Sequence, residues 1–179
     1  YNLAGAYSAQ TKYNEAETVL QRAVGIASKP KGPEDYALVT PLTHQFNLYN
    51  AQKLYPKAEE VAKRIQAITQ KAKGPADLAN AASLNQFLAI YRGQNKPEQV
   101  EATLKALISL YEGARGAESQ EVINQLYGLS DFYVAAKRYD DAEAVLKRAL
   151  ATGEKLKGAE DFALVTTLNR YAGLYNAKA

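Results

Sequence analysis

The feature that most constrains the fold of this chain is a repeat of 42 residues. Four copies of a short turn sequence, KGPED, KGPAD, RGAES and KGAED, begin at Lys31, Lys73, Arg115 and Lys157. A second sequence, which reads KYNEAE, LYPKAE, KPEQVE or RYDDAE, recurs at the same spacing. No insertion separates the copies, so the two signals mark one structural unit repeated along the chain. The length of 179 residues therefore reflects the number of repeats and not the size of a single globular core.

The turn sequence predicts the end of one helix and the start of the next. Its glycine suits the left-handed position that follows a helix, and the preceding Lys or Arg faces the negative end of the helix dipole. Three residues later comes a side chain that can accept a hydrogen bond from the first turn of a new helix. The glycines are Gly32, Gly74, Gly116 and Gly158. The caps are Asp35, Asp77, Ser119 and Asp161.

Between these boundaries, apolar residues recur every three or four positions, as they do along one face of an α-helix. Each unit is therefore a helix A and a helix B joined by a short polar turn. Pro97 fits the first turn of its helix, whereas Pro41 falls inside a predicted A helix and should kink or delay it. We predict nine helices in an all-α fold, with A helices near 1–10, 36–51, 78–93, 120–136 and 162–177 and B helices near 14–30, 56–73, 97–114 and 140–157.

These units resemble the tetratricopeptide repeat, most closely its 42-residue form found in kinesin light chains and in many bacterial multi-repeat proteins. The family's A-helix leucine is matched by Leu42, Leu84, Leu126 and Leu168. Its A-helix tyrosine is matched by Tyr7, Tyr49, Tyr91, Tyr133 and Tyr175. The small residue early in helix B is matched by Ala16, Ala58 and Ala142, while Val100 departs from the pattern.

The resemblance implies a right-handed α-solenoid of antiparallel helix pairs, with about four and a half units in one repeat domain. The units span approximately 1–35, 36–77, 78–119 and 120–161, with a partial unit over 162–179. The sequence lacks methionine even at its first residue, and its last A helix has no B helix after it. We therefore expect a fragment of a longer protein.

Composition excludes several kinds of chemistry. The chain has no cysteine, which rules out disulfides, thiolate metal sites and cysteine nucleophiles and leaves the cellular compartment undetermined. His44 is the only histidine, and no phosphate-binding loop, HExxH or GxSxG motif is present. We interpret the carboxylates at the starts of B helices as residues that interact favourably with the helix dipole, and not as catalytic dyads. We predict a protein that is not an enzyme and needs neither cofactor nor metal.

The charge and hydropathy patterns do not identify a partner. The net charge of +3 comes from basic residues interleaved with acidic ones, which favours a solvated surface over nucleic-acid binding. No apolar run approaches the roughly 18 residues that span a membrane. The A-helix tyrosines are assigned to the core, with their hydroxyls reaching water.

The resemblance implies a protein or peptide partner held in a concave groove lined by A helices. Amide side chains dominate this predicted groove and can pair with an extended peptide backbone, while Arg92 and Arg170 could bind a carboxylate. The groove positions are Asn2, Thr43, His44, Asn47, Asn50, Asn85, Gln86, Arg92, Tyr127, Asp131, Asn169, Arg170 and Asn176. The other interpretation is that these are simply solvent-facing polar residues.

Two further functions stay open at the level of sequence. The chain could be a structural spacer that self-assembles through its uncapped repeat ends, forming a homo-oligomer. It could also be the regulatory domain of a larger enzyme or sensor.

Overall fold

The structure, a computed structural model, describes residues 12–30, 32 and 34–178. Within these residues it contains eight α-helices and one 3₁₀-helix, and no strand. The α-helices are α1 (Tyr13–Ala27), α2 (Val39–Ala51), α3 (Tyr55–Lys73), α4 (Asn80–Gly93), α5 (Pro97–Arg115), α6 (Gln120–Ala135), α7 (Tyr139–Lys157) and α8 (Leu164–Lys178). The helix predicted over residues 1–10 lies outside the described residues.

The chain divides into two compact units, Tyr1–Gln99 and Val100–Ala179. In the first unit α1 packs on α2, α2 on α3, and α3 on α4. Short turns join successive helices, so each packs antiparallel to the next. The core of this unit is an apolar cluster drawn from α2, α3, α4 and the 3₁₀-helix. Its members with the lowest exposure are Leu38, Leu42, Ala58, Ala62, Ile65 and Ile90.

The second unit repeats this plan. Here α6 packs on α7, and α7 on α8. Leu107, Leu126 and Leu146, one from each of α5, α6 and α7, are all almost completely buried. All eight described α-helices coincide with predicted ones to within three residues at either end. The predicted all-α fold of paired helices is therefore confirmed in each unit.

Pro41 delays its helix, as predicted. The segment from Tyr36 to Leu38 is a 3₁₀-helix, and the α-helix begins only at Val39, so that Pro41 lies in its first turn. A proline there loses no hydrogen bond, because the first N–H groups of a helix have no partner within it.

The turn glycines have positive φ, but their conformation corrects one detail of the prediction. Gly74 has φ 87° and ψ 156°, and Gly158 has φ 98° and ψ 152°. These angles belong to an extended region open almost only to glycine, not to the left-handed helical region. The chain therefore leaves the helix abruptly. The caps lie as predicted, with Asp77 Oδ1 accepting a hydrogen bond from Ala79 N at 2.7 Å.

The left-handed helical conformation occurs instead at the turns from helix A to helix B. Lys53, Asn95 and Lys137 have φ between 54° and 58° there. The next N–H then bonds back five residues, as in Arg138 N to Tyr133 O at 2.8 Å. This is a Schellman motif formed without glycine.

Replacing Lys137 by glycine should therefore stabilise the chain, by about 0.5–1 kcal/mol, since glycine adopts this conformation without strain. Urea denaturation followed by circular dichroism measures the change. The same substitution at the exposed helical residue Lys147 should cost about 1 kcal/mol, so effects of equal sign at the two positions would contradict this explanation.

Candidate functional site

The predicted groove residues that the structure describes all lie on A helices. Thr43, His44, Asn47 and Asn50 are on α2, Asn85, Gln86 and Arg92 on α4, Tyr127 and Asp131 on α6, and Asn169, Arg170 and Asn176 on α8. Asn2 lies outside the described residues. Three of the set, Tyr127, Asp131 and Arg170, are brought together by direct contacts in the second unit. Asn169 and Asn176 lie exposed on α8, apart from these contacts.

The Arg170 guanidinium is held from two sides. It lies 4.4 Å from the centroid of the Tyr127 ring, and its Nη1 donates a hydrogen bond to Asp131 Oδ1. Tyr127 is itself buried, and its hydroxyl lies 2.5 Å from Thr167 Oγ1. An arginine stacked on a fixed ring and paired with a carboxylate has little freedom left to lose on binding. Tyr127 therefore acts as a buried support for Arg170, and its contact with a bound peptide stays a prediction.

Beside this ion pair, α6 and α8 enclose a cleft of about 430 Å³. Its lining residues are Ser130, Asp131, Val134, Ala135, Arg170, Gly173 and Leu174. Most of these side chains are apolar or small, and a Cβ added at Gly173 would meet no atom within 4 Å. The cleft therefore has room for an apolar side chain beside the charged groups of Asp131 and Arg170.

The first unit carries neutral residues at the equivalent positions. Asn47 and Gln86 precede Asp131 and Arg170 by two repeats, or 84 residues, in each case. Asn47 is exposed, whereas Gln86 is buried and its Oε1 has no hydrogen-bond partner. Neutral amides thus stand where the second unit has an ion pair, so the two units differ in charge at these repeat positions.

The remaining amides and hydroxyls of the first unit are partly engaged with their own helices. Thr43 Oγ1 donates to Val39 O at 2.8 Å, and Asn85 Nδ2 donates to Ala81 O at 2.9 Å. Asn50 Oδ1 is buried without a partner. Arg92 is exposed and His44 half-buried.

Sequence reasoning missed a hydrogen bond that recurs between repeats. The A-helix tyrosine hydroxyl donates to the glutamate 32 residues earlier, on the preceding B helix. The three pairs are Tyr49 to Glu17 at 2.7 Å, Tyr133 to Glu101 at 2.8 Å, and Tyr175 to Glu143 at 3.2 Å. The recurrent 32-residue spacing was visible in the sequence, but these glutamates were assigned only to helix starts. They also bridge neighbouring repeats.

Glu101 is the centre of the largest of these networks. It accepts hydrogen bonds from Lys105 at 2.7 Å, from Tyr133 and, at 2.5 Å, from Arg138. The hydrogen bond from Lys105 and those from Tyr133 and Arg138 outweigh partial burial and lower the pKa of Glu101 to about 2. In the first unit, burial and the bond to Glu17 raise the pKa of Tyr49 to about 12.

Several surface cations are also paired with carboxylates. Lys63 lies 2.7 Å from Glu59, and Lys155 lies 3.0 Å from Glu118. Among the described residues, no group of three or more acidic or histidine side chains is arranged to hold a metal ion. None of the described helices is both long and apolar enough to cross a membrane.

Models of the tetratricopeptide repeat family match residues 1–34 and 122–162. In structure, the chain is similar to BtubC (BKLC) from P. vanneervenii, with a TM-score of 0.73 and 21% identity over 98% of this chain and 70% of that one. It is also similar to the nearly identical TPR-like repeats of a Podosopora anserina putative kinesin light chain, with a TM-score of 0.74 and 19% identity over 99% and 84% of the two chains. The chain matches none of the curated proteins with which it was compared. These similarities confirm the predicted fold class.

Proposed function

We propose that this chain is a tetratricopeptide-repeat protein of the kinesin-light-chain-like type and that it binds an extended peptide of a partner protein at the A helices of its second unit. Proteins built from such repeats generally serve as non-catalytic interaction scaffolds, because stacked helix pairs present a long continuous surface. The finer proposal, that the groove holds a peptide, depends mainly on the α6–α8 cleft.

The cleft favours a particular kind of peptide side chain. It is lined in part by Val134, Ala135 and Leu174, which suit an apolar residue. Arg170 is already paired with Asp131, so an acidic residue of the peptide would have to displace that carboxylate. Asp131 is more exposed than Arg170, with 63% of its side-chain surface accessible against 32%. We therefore propose a peptide with an apolar residue next to a Lys or Arg, in place of the acidic segment suggested by the sequence.

The exposed amides of the first unit suit the backbone of an extended peptide bound to that unit. Asn47 and Asn85 are exposed on α2 and α4, and an amide can both donate to a carbonyl and accept from an N–H. Such contacts are insensitive to peptide sequence.

Filling the cleft tests this function. Gly173→Leu would place a side chain where the apolar residue of the peptide should bind, and the open space around Gly173 means that the fold need not change. Peptides of 12 residues are first selected from a random displayed library on the unmodified chain, and their affinities are then measured by fluorescence anisotropy. We expect Gly173→Leu to weaken the selected peptides at least tenfold.

Gly113→Leu is the matched control, because Gly113 also lies within a helix with open space around it, on α5. It should leave the affinity unchanged. Equal affinities for the unmodified chain and Gly173→Leu, or a selection that yields no binding peptide, would show that the cleft is not a peptide site.

A further inference from the structure

A cavity of the first unit lies against α3, which is a B helix, and we call it the Arg64 pocket. Its volume is about 430 Å³, within the range of known ligand sites. The described residues that line it are Glu34, Arg64, Ala67, Ile68 and Lys71. It shares none of these residues with the α6–α8 cleft, so the two sites are separate.

The Arg64 pocket combines an apolar wall with an excess of positive charge. Ile68, which is 2% exposed, and Ala67 form the apolar part. Lys71 pairs with Glu34, and both side chains are well exposed, at 70% and 64%. The pocket is therefore open to solvent on their side. Arg64 is half-buried and adds a second cation, so two cations stand against one carboxylate.

The second unit contains the same arrangement and serves as an internal reference. Every pocket residue named above except Ile68 has an identical counterpart 84 positions, or two repeats, later. The counterparts are Glu118, Arg148, Ala151 and Lys155. Lys155 Nζ lies 3.0 Å from Glu118 Oε1, which repeats the pairing of Lys71 with Glu34. The local structure around the two arginines is therefore comparable.

One position near the two arginines differs in charge. In the second unit, Arg148 forms an ion pair with Glu112, which lies on the preceding B helix, α5. The residue 84 positions before Glu112 is Ser28, directly after α1. Its hydroxyl donates to Gly25 O at 3.0 Å. The second unit thus supplies a carboxylate from its own chain at a position where the first unit has a hydroxyl.

Arg64 is suited to bind a carboxylate from another molecule. A guanidinium has five N–H donors in a planar fork that fits the two oxygens of a carboxylate. Arg64 can therefore bind one in addition to the contacts that it already makes. Because the side chain is half-buried, it has less freedom to lose on binding than a fully exposed one.

We propose that the Arg64 pocket binds an Asp or Glu side chain of a partner protein, presented next to an aliphatic residue. The carboxylate would take at Arg64 the place that Glu112 takes at Arg148, and the aliphatic residue would pack on Ile68. This site lies in the other unit from the α6–α8 cleft, on a B helix. It goes beyond the peptide site proposed there and does not depend on it.

A random displayed library of 12-residue peptides tests the proposal. Selection uses the chain with Gly173→Leu, in which the α6–α8 cleft is filled, so that failure of the cleft as a peptide site does not affect the outcome. Peptides that also bind the same chain with Ser28→Glu are removed, because the added carboxylate should occupy Arg64 as Glu112 occupies Arg148. The remaining peptides should share an Asp or Glu beside an aliphatic residue.

Fluorescence anisotropy then measures the affinities of these peptides. Arg64→Gln should weaken them at least about tenfold, and so should replacement of the shared acidic residue by its amide. Arg148→Gln is the matched control, since it removes the equivalent arginine of the second unit, and it should leave the affinity unchanged. Circular dichroism checks that the variants keep their helices.

Ser28→Gln separates charge from space, because glutamine has the size of glutamate without its charge. The selected peptides should bind this variant as they bind Ser28. Loss of binding to Ser28→Gln would show that filled space and not charge excludes the peptides, and would overturn the proposal. A selection that yields no peptide, peptides without a shared acidic residue, or equal binding by the amide peptide would also overturn it.

Discussion

Replacing Leu126 by alanine will lower the free energy of unfolding by about 3 kcal/mol. Leu126 is 1% exposed on α6, so the shortened side chain leaves a cavity in the core of the second unit. The substitution removes apolar contacts, and the surrounding helices relax only partly into the space. Urea denaturation followed by circular dichroism at 222 nm measures the loss.

Leu168 is the matched control for this prediction, because it occupies the same position one repeat later. It is 51% exposed, so alanine there should cost less than about 1 kcal/mol. Equal losses at Leu126 and Leu168 would show that position in the repeat, and not burial, governs stability.

Replacing Glu101 by glutamine will cost about 2 kcal/mol at neutral pH, the second largest of the expected effects. The carboxylate accepts hydrogen bonds from Lys105, Tyr133 and Arg138, and these join α5, α6 and the turn before α7. A neutral amide has one acceptor oxygen and carries no charge to pair with the two cations. Thermal and urea denaturation at pH 7 give the difference.

The same hydrogen bonds make the free energy of unfolding depend on pH in the acid range. The pKa of Glu101 is about 2 in the folded chain, below the value near 4.3 expected in the unfolded chain. A lowered pKa means that the stabilisation is complete above about pH 4.3 and is lost as the pH falls through about 2. Stability of the unmodified chain should therefore fall more steeply between pH 4.5 and 2 than that of Glu101→Gln.

Glu98→Gln is the control for both measurements, since Glu98 is exposed in the first turn of the same helix. It should change stability little at pH 7 and keep the slope below pH 4.5. A slope that is identical in Glu101→Gln and the unmodified chain would exclude Glu101 as its source.

Much of the fold could be predicted because its determinants are local and repeated four times. Asp77 caps its turn through an N–H two residues away, and Pro41 acts on its own helix start. Such signals need no knowledge of distant residues. The backbone angles of Gly74 and Lys53 are harder to predict from sequence, because the conformation of each turn depends on how the two adjoining helices pack.

The candidate site was predictable only in outline. The resemblance placed polar residues on the A helices, and those that the structure describes lie there. It did not indicate that Tyr127 would be buried beneath Arg170, or that Arg170 would be paired with Asp131. Those contacts join residues 39 to 43 positions apart, and their existence depends on the packing of α6 against α8.

By itself, the sequence determined the repeat, the helix boundaries and the resemblance to tetratricopeptide repeats, because spacing, caps and apolar periodicity are properties of short stretches of chain. The tertiary structure decided which equivalent residues differ in environment. Leu126 is buried and Leu168 exposed, and the glutamates 32 residues before the tyrosines join neighbouring repeats as well as starting helices. The physical reason is that burial and hydrogen bonding depend on which helix lies alongside, and identical repeat positions do not share that neighbour.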